Sequence, residues 1–177
     1  MKKLSKKTYF LLAAISTLMG VAAYSGEGDK PAAPNAPAVS AKSDAKKLED
    51  IAEKNFDKAL ADAKKEGKVL MLEFTGSQWC PPCKMLHSYV LNTEKFLKHA
   101  KDKLKVVVAD FDRRGKPRDA ENAAQYEKLA ETYGLTGFPT IVLINPQTGA
   151  VSKLVGFQTQ TPEALIEVVE KVSKTGK

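Results

Sequence analysis

Hydrophobic residues recur along the chain in two patterns, one with the spacing of a helix and one typical of extended strands. In the segment 44–66 the apolar positions have helical spacing and Gly67 follows the last of them, which predicts an amphipathic helix. The run 69–74 is almost wholly apolar, as is typical of a strand buried on both faces. A helical pattern then continues to about His99, and the pattern over 105–111 predicts a second strand.

The second half of the chain adds a helix and a hairpin. A helix is predicted over 120–133, with Asp119 as its N-cap and Gly134 beyond its end. Strands over 140–144 and 150–155 flank the turn-forming sequence NPQTG, which indicates a hairpin.

A last helix begins at Thr161 and Pro162, since Thr is a good N-cap and Pro suits the first helical position. Its buried side is predicted to consist of Leu165, Ile166, Val168, Val169 and Val172. The resulting order is helix, strand, helix, strand, helix, strand, strand, helix. This order predicts an α/β fold with a mixed sheet and helices on both faces.

The first 25 residues have the organisation of an export signal. Four lysines precede the apolar run 10–23, and small residues follow it in an A-x-S pattern before Gly26. The run has the length of a signal-peptide core and is short of the ~20 residues of a membrane-spanning helix. We therefore predict a cleaved signal peptide over 1–25, with an uncleaved membrane anchor as the alternative.

The segment 26–43 is predicted to be a linker, because it is rich in Pro and Ala and has little apolar bulk to bury. The remainder, 44–177, is long enough for one domain with a hydrophobic core. The composition agrees, since 43% of the residues are hydrophobic and 28% are charged.

More than half of the net charge of +7 is due to the predicted signal peptide. Residues 1–25 carry four lysines and no acid, so 24 basic and 21 acidic residues remain, a net charge of +3. The segment RRGKPR at 113–118 is a local basic cluster, and we interpret it as a solvated loop, with an acidic partner as the alternative. No nucleic-acid-binding signature accompanies it, so nucleic acid is not an expected partner.

Candidate chemistry is concentrated in the sequence WCPPCK, which holds the chain's two cysteines and follows a predicted buried strand. Cys80 stands at the predicted helix start, where free N–H groups stabilise a thiolate, and Cys83 lies one turn further in. We expect Cys80 to attack a disulfide and Cys83 to resolve the mixed disulfide.

Two other interpretations of the cysteines remain open. A purely structural bridge would close a very short loop, so it would restrain little of the unfolded chain. A metal site would need further ligands, and His87 or His99 could supply them. However, His87 is expected to be an ordinary histidine on the helix surface.

At these residues the sequence resembles the thioredoxin-like superfamily, and within it the exported bacterial thioredoxin-family proteins. The segment 75–86 reads TGSQWCPPCKML, and the segment 133–140 reads YGLTGFPT before an apolar strand. The resemblance implies a thioredoxin fold and a redox cycle between Cys80 and Cys83, without a further cofactor or a metal.

The resemblance also assigns residues around the cysteines. Pro139 matches a proline that is cis in this fold and lies beside the active site. The backbone there is expected to pair with an extended substrate, and Phe138 is expected to shape the groove or to pack in the core. Trp79 is expected on the rim. Pro81 and Pro82 complete the candidate substrate-binding set.

Two features depart from thioredoxin itself. Glu73 is the nearest match to the buried aspartate that deprotonates the second cysteine, and it is either a buried proton acceptor or a surface charge. The lysine that partners that aspartate falls near Val108, so the same ion pair is not expected. Pro81 replaces a glycine, which removes one N–H near Cys80 and is expected to make the protein more reducing.

The resulting prediction is an exported, periplasmic thiol–disulfide oxidoreductase, more specifically a reductase, and a monomer. Its expected partners are protein disulfides, including those of apocytochromes c, and a membrane electron donor that reduces it again. The alternatives are an oxidant or isomerase of the same fold, and a non-catalytic module that binds a partner beside Phe138 and Pro139.

Overall fold

The computed structural model describes residues 47–175 of the chain. The predicted signal peptide, the linker and the first residues of the predicted 44–66 helix lie outside the described residues. None of the helices within 47–175 combines the length and the apolar character needed to cross a membrane.

Five strands form a single mixed sheet in the order β1-β3-β2-β4-β5. They are β1 (Ala52–Glu53), β2 (Val69–Thr75), β3 (Leu104–Asp110), β4 (Thr140–Ile144) and β5 (Val151–Val155). Strands β1 and β2 pair parallel to β3, while β4 pairs antiparallel to both β2 and β5. The central strand β2 is buried along its whole length, as its apolar sequence predicts.

Five α-helices cover the two faces of the sheet. They are α1 (Phe56–Glu66), α2 (Pro81–Leu86), α3 (Glu94–Lys103), α4 (Ala123–Thr132) and α5 (Pro162–Lys174). One face packs against α2, α3 and α5, and the other against α1 and α4. The predicted α/β class, with a mixed sheet and helices on both faces, is confirmed.

The continuous helix predicted over 44–66 is wrong in its first half. Leu48–Ile51 is a 3-10 turn, and the next two residues form β1 at the edge of the sheet. The helix α1 begins only after Asn55, whose side chain accepts a hydrogen bond from the N–H of Lys58. Pairing with β3 therefore outweighs the local helical periodicity.

The helical segment predicted to end near His99 is also divided. After α2 the backbone widens into a π turn, His87–Leu91, and α3 starts afresh after Thr93, whose hydroxyl accepts a hydrogen bond from the N–H of Phe96. Likewise the helix predicted over 120–133 begins only at α4. Asp119 accepts from the N–H groups of Glu121 and Asn122 and so forms a turn ahead of the helix instead of capping it.

The remaining boundaries agree closely with the predictions. Strand β3 begins and ends one residue before the predicted segment, and β4 and β5 form the predicted hairpin. The hydroxyl of Thr161 accepts a hydrogen bond from Ala164 N–H, so Thr161 caps α5, and Pro162 takes its first position.

Candidate active site

The two cysteines lie where β2 gives way to α2. Cys80 is the N-cap residue of α2, and Cys83 lies in its first turn. They form a disulfide with their Cα atoms 5.3 Å apart. Cys80 keeps 2% of its surface exposed and Cys83 keeps none. Both cysteines are therefore buried in the oxidised protein, and Cys80 at the helix start is only slightly more exposed than Cys83.

The start of α2 offers few backbone donors to Cys80. Its first two residues are Pro81 and Pro82, which have no N–H group. The N–H of Cys83 points at Cys80 Sγ, with a nitrogen–sulfur distance of 3.3 Å. The start of α2 therefore lacks two backbone donors, one more than the loss at Pro81 alone predicts.

The loop between β2 and α2 is fastened to the end of β3. Asp110 accepts hydrogen bonds from the backbone N–H of Ser77 (2.8 Å) and from its hydroxyl (2.6 Å). Arg118 lies on the other side of Asp110, with its Nε 3.3 Å from the carboxylate. This anchor fixes the approach to Cys80, and the sequence motifs did not indicate it.

Three aromatic residues, Trp79, Phe111 and Phe138, form a cluster beside the disulfide. Trp79 donates its indole N–H to the carbonyl of Phe111 at 2.8 Å, and its ring meets Phe138 edge-on with centroids 5.5 Å apart. The rings of Phe111 and Phe138 are 5.6 Å apart. The peptide bond between Phe138 and Pro139 is cis, as the resemblance implied. All three rings are therefore held by one another and by the backbone.

The aromatic cluster opens into a groove of about 700 Å³. Its floor includes Phe111, Leu135 and Phe138, and its rim carries Lys116 and Glu127. These two charged residues form an ion pair at 3.3 Å. The groove therefore combines an apolar floor with a polar edge.

In the basic segment at 113–118, three cations are paired with acids. Arg114 contacts Asp112 at 3.0 Å, and Arg118 and Lys116 have the partners named above. Arg114 is largely exposed. The segment therefore forms part of the polar wall of the groove and is also exposed to solvent.

Glu73 is fully buried in β2, which settles whether it is a buried or a surface carboxylate. Its Oε1 lies 2.8 Å from Nε2 of His87. Within the described residues, its Oε2 is buried without a hydrogen-bond partner. In the sheet, Glu73 stands opposite Val108, so the position from which a lysine would reach it is apolar, as predicted.

The expectation that His87 is an ordinary surface histidine is wrong. Its side chain is only 11% exposed, and both ring nitrogens face carboxylates, Nε2 towards Glu73 and Nδ1 towards Glu49 at 3.3 Å. Burial disfavours the charged imidazole, but the hydrogen bonds to Glu49 and Glu73 outweigh it and raise the pKa of His87 to about 10. The position four residues after Cys83 was the available signal, because residues i and i+4 share a helix face.

A crevice of about 190 Å³ connects this network with the second cysteine. Cys83, His87 and Glu49 line it together with Lys47 and Lys84. We refer to it as the Cys83 crevice. Within residues 47–175, no cluster of three or more His, Cys, Asp or Glu side chains is placed to hold a metal ion.

The chain is similar in sequence to a known domain family and to several known proteins. The family described as "Thioredoxin-like domain" matches residues 56–173. The chain is 28% identical over 120 residues to the disulfide bond reductase DsbH of Chlamydia pneumoniae, which covers 68% of this chain and 71% of that protein. A nucleoredoxin of Mus musculus is 23% identical over 117 residues, which covers 56% of this chain and 26% of that protein.

Solved structures are similar in fold. A structure of DsbH oxidoreductase superposes with a TM-score of 0.59 at 25% identity, covering 77% of this chain and 96% of that one. A thioredoxin from Thermus thermophilus superposes with a TM-score of 0.54 at 21% identity, covering 71% of this chain and 89% of that one.

Proposed function

Since this chain belongs to the thioredoxin-like domain family and is a thiol–disulfide oxidoreductase of that type, we propose that it is exported and reduces protein disulfides. The observation that carries the proposal is the cystine at the start of α2, with Cys80 as the N-cap residue, together with the aromatic cluster and the cis proline that follows Phe138. Similarity to a disulfide bond reductase supports the direction of the reaction.

The reaction begins with both cysteines reduced. The thiolate of Cys80 attacks one sulfur of a client disulfide, a Cys80–client bond forms, and the other client sulfur leaves as a thiol after taking up a proton. Cys83 then loses its proton to a base and attacks Sγ of Cys80. The Cys80–Cys83 disulfide forms, the second client thiol is released, and two electrons have passed to the client.

Glu73 is our choice for that base. A carboxylate that is buried in β2 and keeps one oxygen free of hydrogen bonds is placed to accept a proton inside the protein. Its hydrogen-bond partner His87 lies one turn after Cys83, so Glu73 faces the helix that carries the disulfide. The proton is returned to solvent before the next cycle.

The client is expected to lie across the cis proline in an extended conformation. The carbonyl of Pro139 already accepts a hydrogen bond from Gly156 at 2.7 Å, so the backbone groups of Phe138 are the ones offered to a client strand. Next to the disulfide along the chain, Pro81 is exposed, and Trp79 and Pro82 are partly exposed, so all three can contact a client. Apocytochromes c awaiting haem are the client class that we favour.

An exported reductase needs a supply of electrons, and we assign it to a membrane donor that reduces the Cys80–Cys83 disulfide.

Export itself rests on the sequence of residues 1–25. Fusing these residues to a reporter that is active only outside the cytoplasm should give activity. Replacing the lysines and interrupting the apolar run with charged residues should abolish it. A fusion that stays in the cytoplasm would contradict export.

The central test is trapping of clients. Cys83→Ser should accumulate mixed disulfides through Cys80 in cells, because the resolving thiol is absent. The Cys80→Ser/Cys83→Ser variant is the matched control and should trap nothing. The purified wild-type protein should reduce insulin with a small thiol as donor. Absence of both trapping and insulin reduction would overturn the enzymatic proposal in favour of a binding module.

The redox equilibrium of the Cys80–Cys83 pair against glutathione tests the direction. A reductase should be more reducing than glutathione, so its dithiol should convert oxidised glutathione to the thiol at equilibrium. A pair that is more oxidising than glutathione would overturn the reductase in favour of an oxidant or isomerase.

A further inference from the structure

The buried carboxylate of Glu73 has its cationic neighbour on the helix side, not within the sheet. Side chains alternate along a strand, so Glu73 shares the face of Met71, which packs in the core beneath α3 and α5. Its neighbours across the sheet are Val108 in β3 and Ile141 in β4, both apolar. The one cation in hydrogen-bond contact with Glu73 among the described residues is His87.

The position of His87 makes it part of the active-site helix. It lies one turn after Cys83, at the start of the π turn that continues α2. Its ring is held at both ends, by Glu73 of β2 and by Glu49 of the 3-10 turn. The other charged groups at the Cys83 crevice are Lys47 and Lys84.

A buried carboxylate without a cation would be protonated and could not accept a proton, because burial strongly disfavours its charged form. A cation within hydrogen-bond distance reverses this preference. His87 meets the requirement, since Glu49 and Glu73 together keep its pKa at about 10 and it therefore stays cationic at neutral pH.

We propose that His87 is a positioning residue that pairs as a cation with Oε1 of Glu73 and leaves Oε2 unpaired to take the proton of Cys83. The inference deepens the proposed reductase function, on which it rests. The Nε2–H of His87 donates to Oε1 of Glu73, and the Nδ1–H donates to Glu49. Transfer of the thiol proton to Oε2 converts Glu73 to its acid, while the imidazolium keeps both of its protons. The proton then leaves Glu73 for solvent before the next cycle.

The test separates the two thiol steps. The reduced protein, in excess, is mixed with an aromatic disulfide whose thiolate product absorbs visible light. The first release of thiolate reports attack by Cys80, and the second reports attack by Cys83. In His87→Gln, which removes the charge, the acid limb of the second step should move to higher pH by about one unit or more. The first step should keep its pH profile.

Matched variants show whether charge or mere packing is responsible. His87→Lys restores a cation at the same position and should return the second step close to the wild-type profile. In a Glu73→Gln background, His87→Gln should produce no further shift, because it acts through Glu73. A second-step profile that is the same in wild type and His87→Gln, or no rescue by lysine, would overturn the inference.

A measurement on the wild-type protein keeps the inference falsifiable if His87→Gln fails to fold. The chain has two histidines, so a tag-free sample gives two imidazole signals by NMR, which His99→Gln assigns. The His87 signal should remain that of an imidazolium at pH 8. A neutral His87 at pH 7 would overturn the inference. Failure of insulin reduction with the predicted second-step shift intact would instead overturn only the reductase proposal.

Discussion

Gly76 and Trp79 fit together without room for another atom. A Cβ built on Gly76 would lie 2.6 Å from Cε2 and 2.8 Å from Nε1 of the indole ring. The ring has little freedom to retreat, since it donates to Phe111 and packs edge-on against Phe138. The glycine of the TGS sequence is therefore required by the close approach of a side chain.

Replacing Gly76 with alanine should displace the indole ring from the aromatic cluster. Overpacking of this kind costs about 1–3 kcal/mol. We expect a lower free energy of unfolding in denaturant, altered fluorescence of the single tryptophan, and slower reduction of insulin. Gly137→Ala is the matched control, because a Cβ there meets nothing within 4 Å. Equal effects of the two substitutions would contradict the packing argument.

The candidate site residues that the sequence alone can identify are those that belong to short motifs. Cys80, Cys83 and Pro139 were recognised because their neighbours along the chain carry the signal. The sequence does not decide whether Glu73 is buried, and it predicts a surface position for His87. Their contact joins residues 14 positions apart, and no local pattern records which side chain of a helix meets which carboxylate of a strand.

Among the elements, the start of α2 is the one whose sequence bears most directly on the chemistry. Two consecutive prolines leave the N–H of Cys83 as the only donor from the first three helical positions. Fewer donors stabilise a thiolate at Cys80 less well, which favours the disulfide and a more reducing protein. The prolines thus agree in sign with the proposed reductase.

Pro81→Gly should therefore lower the pKa of Cys80 and make the protein more oxidising, because it restores one N–H at the helix start. Titration of the thiolate absorbance gives the pKa, and equilibration with glutathione gives the change in potential. Pro146→Gly, in the turn between β4 and β5, measures the general effect of the same substitution. A Cys80 pKa that is unchanged or higher in Pro81→Gly would contradict the prediction.

The boundaries of the helices and strands show where hydrophobic periodicity fails to predict the structure. Helix α5 was predicted well because Thr161 and Pro162 are local start signals. The predicted 44–66 helix failed because Ala52 and Glu53 are drawn into the sheet by β3, a strand some fifty residues later. A two-residue edge strand has no periodicity of its own, so its existence depends on the tertiary fold.

At the scale of the whole molecule, the charged residues fall into groups that differ in what they contribute. Four of the lysines belong to the predicted export signal, and the rest of the chain has a net charge of +3. Much of the surface charge is paired, as in the contact between Lys105 and Glu66 at 2.7 Å. Such exposed pairs contribute little to stability. The ionisation that matters to the folded state is the buried one at His87.

The stability of the protein should accordingly depend on pH in a window set by His87. The pKa of His87 rises from 6.5 to about 10 on folding, so the folded state binds this proton more tightly. The resulting stabilisation is complete below pH 6.5 and is lost as the pH rises to about 10, by at most about 1.4 kcal/mol per pH unit. We expect the free energy of unfolding of the oxidised protein to fall across this window.

The double variant Glu73→Gln/His87→Gln supplies the reference, because it lacks both buried charges and keeps every other titrating group. Denaturant unfolding at several pH values between 6.5 and 10 should give a declining difference between wild type and variant. The lowered pKa of Glu49 acts only at acidic pH, and the raised pKa of Tyr126, about 12, acts only above the window. Parallel curves would mean that His87 is not held as a cation by the fold, and the ion pair with Glu73 would then be excluded.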